Sequence, residues 1–282
     1  MINTITNRQG KTLSIQVDGS KDAPAIIFSN SLGTDKGMWD PQAAYFKENY
    51  QVIRYDTRGH GKSDVMDDTS LANLGEDVID IMDALNIEKA HVCGISMGGI
   101  TALWLGINAA DRFKSITVAN SAAKIGQADA WMNRADAVEQ NGLSDLVKTT
   151  HTRWFSDKFD YENNALAQQT IQSLATTQPK GYANACRALA YADVRHELPE
   201  IKIPTLVICG LKDPVTTVED GELIKQYVQK SELVGLEASH LSNIEAPDEF
   251  SHVLEKFIQK IQLYKVSVTQ YFQKSPLSDP TF

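Results

Sequence analysis

The sequence predicts an α/β protein in which helices flank a mostly parallel central sheet. Three features of the 282 residues carry this prediction: short apolar runs, stretches with helical spacing between several of them, and a hairpin-like segment near the start. Each apolar run is too short for a stable helix and is typical of a strand buried on both faces. Strands that alternate with helices favour a parallel sheet covered by helices.

The apolar residues place the strands. Residues 4–17 predict an antiparallel hairpin at one edge, in which a turn at 7–10 separates Ile5 from the alternating Leu13, Ile15 and Val17. The buried strands follow in this order: AIIFS at 25–29, QVIRY at 51–55, HVCG at 91–94, SITVA at 115–119 and TLVICG at 205–210.

Apolar residues at helical spacing predict helices in much of the rest of the chain. One helix is predicted through residues 71–85, with Thr69 and Ser70 as available caps, and another begins at Pro247. Residues 123–197 contain no strand-like run, so we predict several helices inserted between SITVA and TLVICG, here called the lid. The core then comprises residues 1–122 and 198–263, while 264–282 lose the helical pattern and predict a loosely held tail.

Composition excludes several classes of partner. With 27 basic and 36 acidic side chains the formal charge is −9, and no basic stripe stands out, so a nucleic-acid partner is not expected. No run of 18 apolar residues predicts a membrane span, and the first residues do not resemble a signal peptide. Three cysteines without metal spacing suit buried thiols, and we therefore expect a cytoplasmic protein.

One serine stands at a special position. Ser96 lies in Gly94-Ile95-Ser96-Met97-Gly98-Gly99, after the strand HVCG and before a helix-compatible stretch. This G-x-S-x-G pattern in a strand–turn–helix context is typical of the strained turn that presents a nucleophilic serine. The helix amino terminus adds free N–H groups and a positive dipole beside the hydroxyl.

A serine hydroxyl is a weak nucleophile near neutral pH, so the turn predicts a base and an acid that orients it. In this arrangement the acid follows the serine along the chain and the histidine comes last. Asp213, just beyond the strand TLVICG, is the candidate acid, although an aspartate before proline is also common in turns. His240, between the run ELVGL and the helix at Pro247, is the candidate base.

The other histidines fit that role less well. His60 precedes the serine and has the wrong order, and the remaining four are more simply packing or surface residues: His91, His151, His196 and His252. For the oxyanion we predict two backbone donors, the N–H of Met97 and the N–H of Leu32 in the loop after AIIFS.

These motifs together identify a resemblance. SNSLGTDKGMWDPQ, YDTRGHGKSD, GISMGG, GLKDPVT and ASHLSNIEAP resemble the α/β-hydrolase superfamily, and they cover about residues 1–262. The loop that begins Asn30-Ser31 is similar to that of the 3-oxoadipate enol-lactonases of aromatic catabolism. Three lid segments also resemble that family: WMNR at 131–134, HTRWF at 151–155 and GYANACRALAYADVR at 181–195.

The resemblance implies an α/β-hydrolase fold with an inserted helical lid, and a substrate that is a five-membered enol-lactone with a carboxymethyl arm. Arg134 would bind the free carboxylate, because a guanidinium pairs bidentately with it. Trp131 and Trp154 would form an apolar wall over the ring. No metal or organic cofactor is implied.

Other functions use the same residues. Esterases, carbon–carbon bond hydrolases and perhydrolases share this triad and fold, so only the lid favours the lactone. A ligand-binding scaffold without activity is a further alternative, and its signature would be a missing member of the triad. Ser96, Asp213 and His240 are all present in the sequence.

Overall fold

The computed structural model describes residues 3–274, with side chains as far as Leu263. Its centre is an eight-stranded sheet in the order β1-β2-β4-β3-β5-β6-β7-β8. The strands are β1 (Thr4–Thr6), β2 (Thr12–Asp18), β3 (Ala25–Ser29), β4 (Gln51–Tyr55), β5 (Ala90–Ile95), β6 (Phe113–Ala119), β7 (Thr205–Gly210) and β8 (Ser231–Leu236).

The pairing of the strands confirms the predicted edge hairpin. Strand β1 is antiparallel to β2 with Ile5 opposite Leu13, and β2 is antiparallel to β4. All other neighbouring strands are parallel. Strands β3 to β7 are buried along nearly their whole length, which agrees with their continuous apolar runs.

Helices cover both the sheet and its carboxyl edge. They are α1 (Asp40–Phe46), α2 (Leu71–Ala84), α3 (Met97–Asn108), α4 (Ala128–Asn141), α5 (Ser144–Trp154), α6 (Ala165–Thr176), α7 (Pro179–Tyr191), α8 (Val218–Tyr227), α9 (Ser242–Glu245) and α10 (Pro247–Lys274). Helix α2 begins as predicted, because the Ser70 side chain accepts a hydrogen bond from Asn73 N and the Asn73 side chain accepts one from Ser70 N.

The predicted insertion consists of four helices, α4 to α7, between β6 and β7. Helices α4 and α7 pack against each other. The lid is fixed to the core by close backbone contacts: Gly181 at the start of α7 lies so near Gly59 that a Cβ on Gly181 would be 2.2 Å from the Gly59 carbonyl oxygen.

The carboxyl-terminal helix extends further than the sequence pattern predicted. The sequence pattern predicts that the helix ends near residue 263, but the helix continues to Lys274, so the predicted end of the helix is wrong. Residues 264–274 contain neither glycine nor proline, so nothing in them breaks a helix, and Pro276 is the first residue that would. Residues 275–282 lie outside the described part. Within residues 3–274, no helix has both the length and the apolar character needed to span a membrane.

Candidate active site

Ser96 occupies a strained turn between β5 and α3. Its backbone has φ 55° and ψ −113°, a region that residues other than glycine rarely adopt. A Cβ on Gly94 would lie 2.0 Å from the Gly98 carbonyl oxygen, and a Cβ on Gly98 would lie 2.2 Å from that of Ser29. The Ser96 N–H donates to the carbonyls of Ala119 and Asn120, both at 3.1 Å. Close packing against neighbouring strands therefore holds the turn in its strained conformation.

Asp213 and His240 form a buried pair at the carboxyl ends of β7 and β8. His240 Nδ1 lies 2.8 Å from Asp213 Oδ2, and Oδ2 also accepts from the Thr216 hydroxyl at 2.8 Å. The other oxygen, Oδ1, accepts from Val215 N at 2.8 Å. Burial by itself would raise the pKa of Asp213, but the charge and hydrogen bond of His240, with the hydrogen bonds from Val215 N and the Asn120 side chain, lower it overall. Asp213 is therefore held as a carboxylate that orients the imidazole.

The two predicted oxyanion donors belong to residues next to Ser96 in the chain or on the wall of the same cavity. Met97 follows Ser96 as the first residue of α3, and Leu32 lies in the loop after β3. In the described part of the chain, no acceptor is paired with either backbone N–H. Both amides are thus free to donate to a ligand.

His60, which comes before Ser96 and is not a candidate base, holds the loop that carries Leu32. His60 is buried, and its Nε2 accepts a hydrogen bond from Gly33 N at 3.1 Å. Because Nε2 accepts, the proton is on Nδ1, which donates to the Arg58 carbonyl at 3.1 Å. Burial lowers the pKa of His60, which favours this neutral form. The motif RGHG thus supports the loop rather than the reaction.

A cavity of about 190 Å³ opens between the sheet edge and the lid. It is lined by these predicted site residues: Leu32, Ser96, Trp131, Arg134, Trp154 and His240. Asp213 lies behind His240, and Met97 adjoins Ser96. The structure therefore brings together all the residues that the sequence nominated.

Four further residues were not anticipated. Arg153 and Thr150 of helix α5 line the same cavity. Asn120 donates from its side chain to Asp213 Oδ2 at 3.1 Å, and Glu245 accepts from Ser239 N at 2.9 Å. The lid segment HTRWF contained Arg153, but its sequence alone does not distinguish a cavity-lining arginine from a solvated one. Asn120 directly follows β6 at the carboxyl edge, and that position was the available signal.

The fold and the site agree with a family assignment. The profile of the alpha/beta hydrolase fold matches residues 24–247. The chain therefore belongs to the α/β-hydrolase family.

Within this family, the chain is similar to enol-lactonases. It is 66% identical over 258 residues to 3-oxoadipate enol-lactonase 1 of Acinetobacter baylyi, which covers 92% of this chain and 97% of that protein. It is 47% identical over 253 residues to 3-oxoadipate enol-lactonase 2 of the same organism, covering 89% and 95%. Among solved structures, the enol-lactonase from Burkholderia xenovorans LB400 superposes with a TM-score of 0.88 at 37% identity, covering 91% of this chain and 99% of that one.

Proposed function

We propose that this protein hydrolyses 3-oxoadipate enol-lactone to 3-oxoadipate, a step of aromatic catabolism in the β-ketoadipate pathway. The assignment of the substrate is based on the 66% identity to an enol-lactonase along nearly the whole of both chains. The cavity supports the same conclusion, because Ser96 and His240 line it together with the lid residues Trp131 and Arg134.

The first half of the proposed reaction acylates Ser96. His240 takes the proton of the Ser96 hydroxyl through its Nε2 as the oxygen attacks the lactone carbonyl, while Asp213 stabilises the imidazolium that forms. The backbone N–H groups of Met97 and Leu32 bind the oxyanion. When the tetrahedral intermediate collapses, the ring C–O bond breaks, and the enol oxygen leaves with a proton from His240.

The second half releases the product. The freed enol tautomerises to a ketone, and this step opposes reclosure of the ring. His240 then removes a proton from water, which attacks the 3-oxoadipyl ester, and 3-oxoadipate leaves as Ser96 regains its proton. Each proton taken by His240 is returned within the same half-reaction, so no cofactor is required.

The lid supplies the specificity in this proposal. The free carboxylate of the substrate pairs with Arg134, whose guanidinium carbon lies 4.8 Å from the centre of the Trp131 ring. Trp131 and Trp154 cover the lactone ring. Trp131 is held by a hydrogen bond from its Nε1 to the Ile125 carbonyl at 2.6 Å.

We also propose that the reaction takes place in the cytoplasm with a small lactone as the only ligand. Cys93, Cys186 and Cys209 are free and buried, as suits a reducing compartment. The net charge of −9 disfavours nucleic acid and anionic lipid surfaces as partners.

Steady-state hydrolysis of freshly generated 3-oxoadipate enol-lactone tests the function, with a simple aryl ester measured alongside. We expect the lactone to be strongly preferred, and Ser96→Ala to lose on the order of 10⁶-fold in turnover. If the aryl ester were turned over equally well or better, the protein would be an esterase with the same mechanism, and the lactonase assignment would be wrong. A Ser96→Ala variant with near-normal activity would contradict the mechanism, and an inactive wild type would favour a ligand-binding scaffold.

A further inference from the structure

The charges that line the cavity are of one sign. Of its described lining residues, Arg134 and Arg153 carry a formal positive charge, and none is acidic. The chain as a whole has a net charge of −9, so this concentration of positive charge is local. Such a cavity attracts an anion and repels a cation.

Neither arginine forms an ion pair with any described residue, in contrast to other arginines of the lid. Arg187 pairs with Asp136 and Glu139, and Arg195 pairs with Asp193. Arg153 is partly buried, and burial together with the charge of Arg134 lowers its pKa. Charged side chains that leave water are normally paired, so the missing counter-charge points to a ligand.

Thr150 adds a neutral donor at the same place. Thr150 lines the cavity, and its hydroxyl is fully buried and has no hydrogen-bond partner among the described residues. Thr150 and Arg153 are three residues apart on α5 and therefore share one face of that helix. A buried hydroxyl without a partner is rare in folded proteins unless a water or ligand satisfies it.

We propose that Arg153, Thr150 and Arg134 form one carboxylate subsite in the lid, and that Arg153 and Thr150 determine the preference for lactones with a carboxylate arm. This inference rests on the proposed function. A carboxylate has about four lone-pair positions, enough to accept from two guanidinium groups and one hydroxyl together. Ser96 and His240 line the cavity from the core, so the subsite holds the arm while the ring carbonyl meets the serine.

The test compares two enol-lactones that differ in the arm: 3-oxoadipate enol-lactone and 5-methyl-2(3H)-furanone, which has the same type of ring without a carboxylate. The measured quantity is the ratio of their kcat/KM values. We expect Arg153→Gln to lower this ratio about tenfold or more, mainly through KM, because it removes a charged hydrogen bond. Thr150→Val should lower it by a smaller factor, and Thr150→Ser should restore it.

Lys148→Gln is the matched control, because it removes a cation from the same helix at an exposed position paired with Asp145. Its ratio should equal that of the wild type. An unchanged ratio in Arg153→Gln, or an equal fall in Lys148→Gln, would overturn the subsite.

Binding of adipate separates this inference from the proposed function, since it requires no turnover. Calorimetric titration of adipate into Ser96→Ala should show binding that Arg153→Gln, added to that variant, weakens about tenfold or more. If the wild type opens neither lactone but this difference in affinity is found, the proposed function fails and the subsite stands. If adipate binds both proteins equally, the subsite is wrong even when the lactone is hydrolysed.

Discussion

Asn120 donates a hydrogen bond from Nδ2 to Asp213 Oδ2, the same oxygen that accepts from His240 Nδ1. The Asn120 amide also donates to the Ser239 carbonyl at 2.9 Å, and its own backbone carbonyl accepts from Ser96 N at 3.1 Å. Asn120, directly after β6, thus contacts the loops of the proposed nucleophile, acid and base. Asn120 has φ 42°, an uncommon value that these contacts maintain.

Replacing Asn120 tests whether this link positions the pair. Asn120→Ala leaves the Ser239 carbonyl without this donor and removes one of the three side-chain donors to Asp213 Oδ2, the others being Thr216 and His240. We expect kcat to fall about tenfold or more with a small change in KM, because a hydrogen bond to a charged group is lost. Single-turnover measurements should show acylation and deacylation slowed alike, since both use His240. A change confined to KM, with kcat unaltered, would contradict a positioning role.

The pKa of Asp213 predicts how stability depends on pH. It lies below the ordinary value of 3.8, so the folded state binds fewer protons than the unfolded state when the pH falls below about 5. The carboxylate therefore stabilises the fold above its unfolded pKa, and this contribution is lost as the pH falls through the folded pKa. Urea unfolding of wild type and Asp213→Asn should give free energies that differ most near neutral pH and begin to converge only as the pH falls below about 4. A difference that grows on acidification would refute this assignment.

The proposed catalytic residues could be nominated from sequence because each is marked by its immediate neighbours. The glycines around Ser96 and the strand before Asp213 are local features, and the order of the three residues along the chain selects His240. The strands could be predicted from the sequence equally well, because a strand that is buried on both faces of a parallel sheet must be continuously apolar. These parts of the fold are encoded within short windows of the chain.

The remaining features depend on packing between distant segments. Nothing near Arg153 in the sequence indicates whether it meets a carboxylate of the lid, as Arg187 does, or faces the cavity. The contact of His60 Nε2 with Gly33 joins two loops 27 residues apart, and no spacing rule predicts it. The end of α10 at Lys274 was missed for another reason: amphipathic periodicity shows where a helix packs, whereas a helix continues until a residue such as proline ends it.

Glu245 joins the lid to the loop of the proposed base. Its carboxylate accepts from Ser239 N at 2.9 Å, from Ser156 N at 3.2 Å and from the Ser156 hydroxyl. Glu245→Ala leaves the N–H groups of Ser239 and Ser156 without this acceptor, and we expect about 1–3 kcal/mol loss in unfolding free energy together with a lower kcat. Ser156→Ala removes only the hydroxyl and should have a smaller effect on both. Denaturant unfolding and lactone hydrolysis measure the two quantities. If both variants lost equal stability and activity, Glu245 would not link the lid to the loop of the proposed base.

Gly181 tests how tightly the lid must approach the core. A Cβ at this position would lie 2.2 Å from the Gly59 carbonyl oxygen and 2.6 Å from Gly59 Cα, and both are backbone atoms that cannot rotate away. We expect Gly181→Ala to cost about 1–3 kcal/mol of unfolding free energy, as overpacking does. Because His60, next to Gly59, holds the loop of Leu32, the variant should also lower kcat.

The neighbouring Lys180→Ala provides the control for Gly181→Ala. Lys180 pairs with Asp67 at an exposed position, and loss of that pair should leave the unfolding free energy nearly unchanged. Thermal or urea unfolding and lactone hydrolysis of both variants give the comparison. If Gly181→Ala were as stable and as active as Lys180→Ala, the lid would have room to shift by the width of a methyl group, and the close contact with Gly59 would not be what aligns it over Ser96.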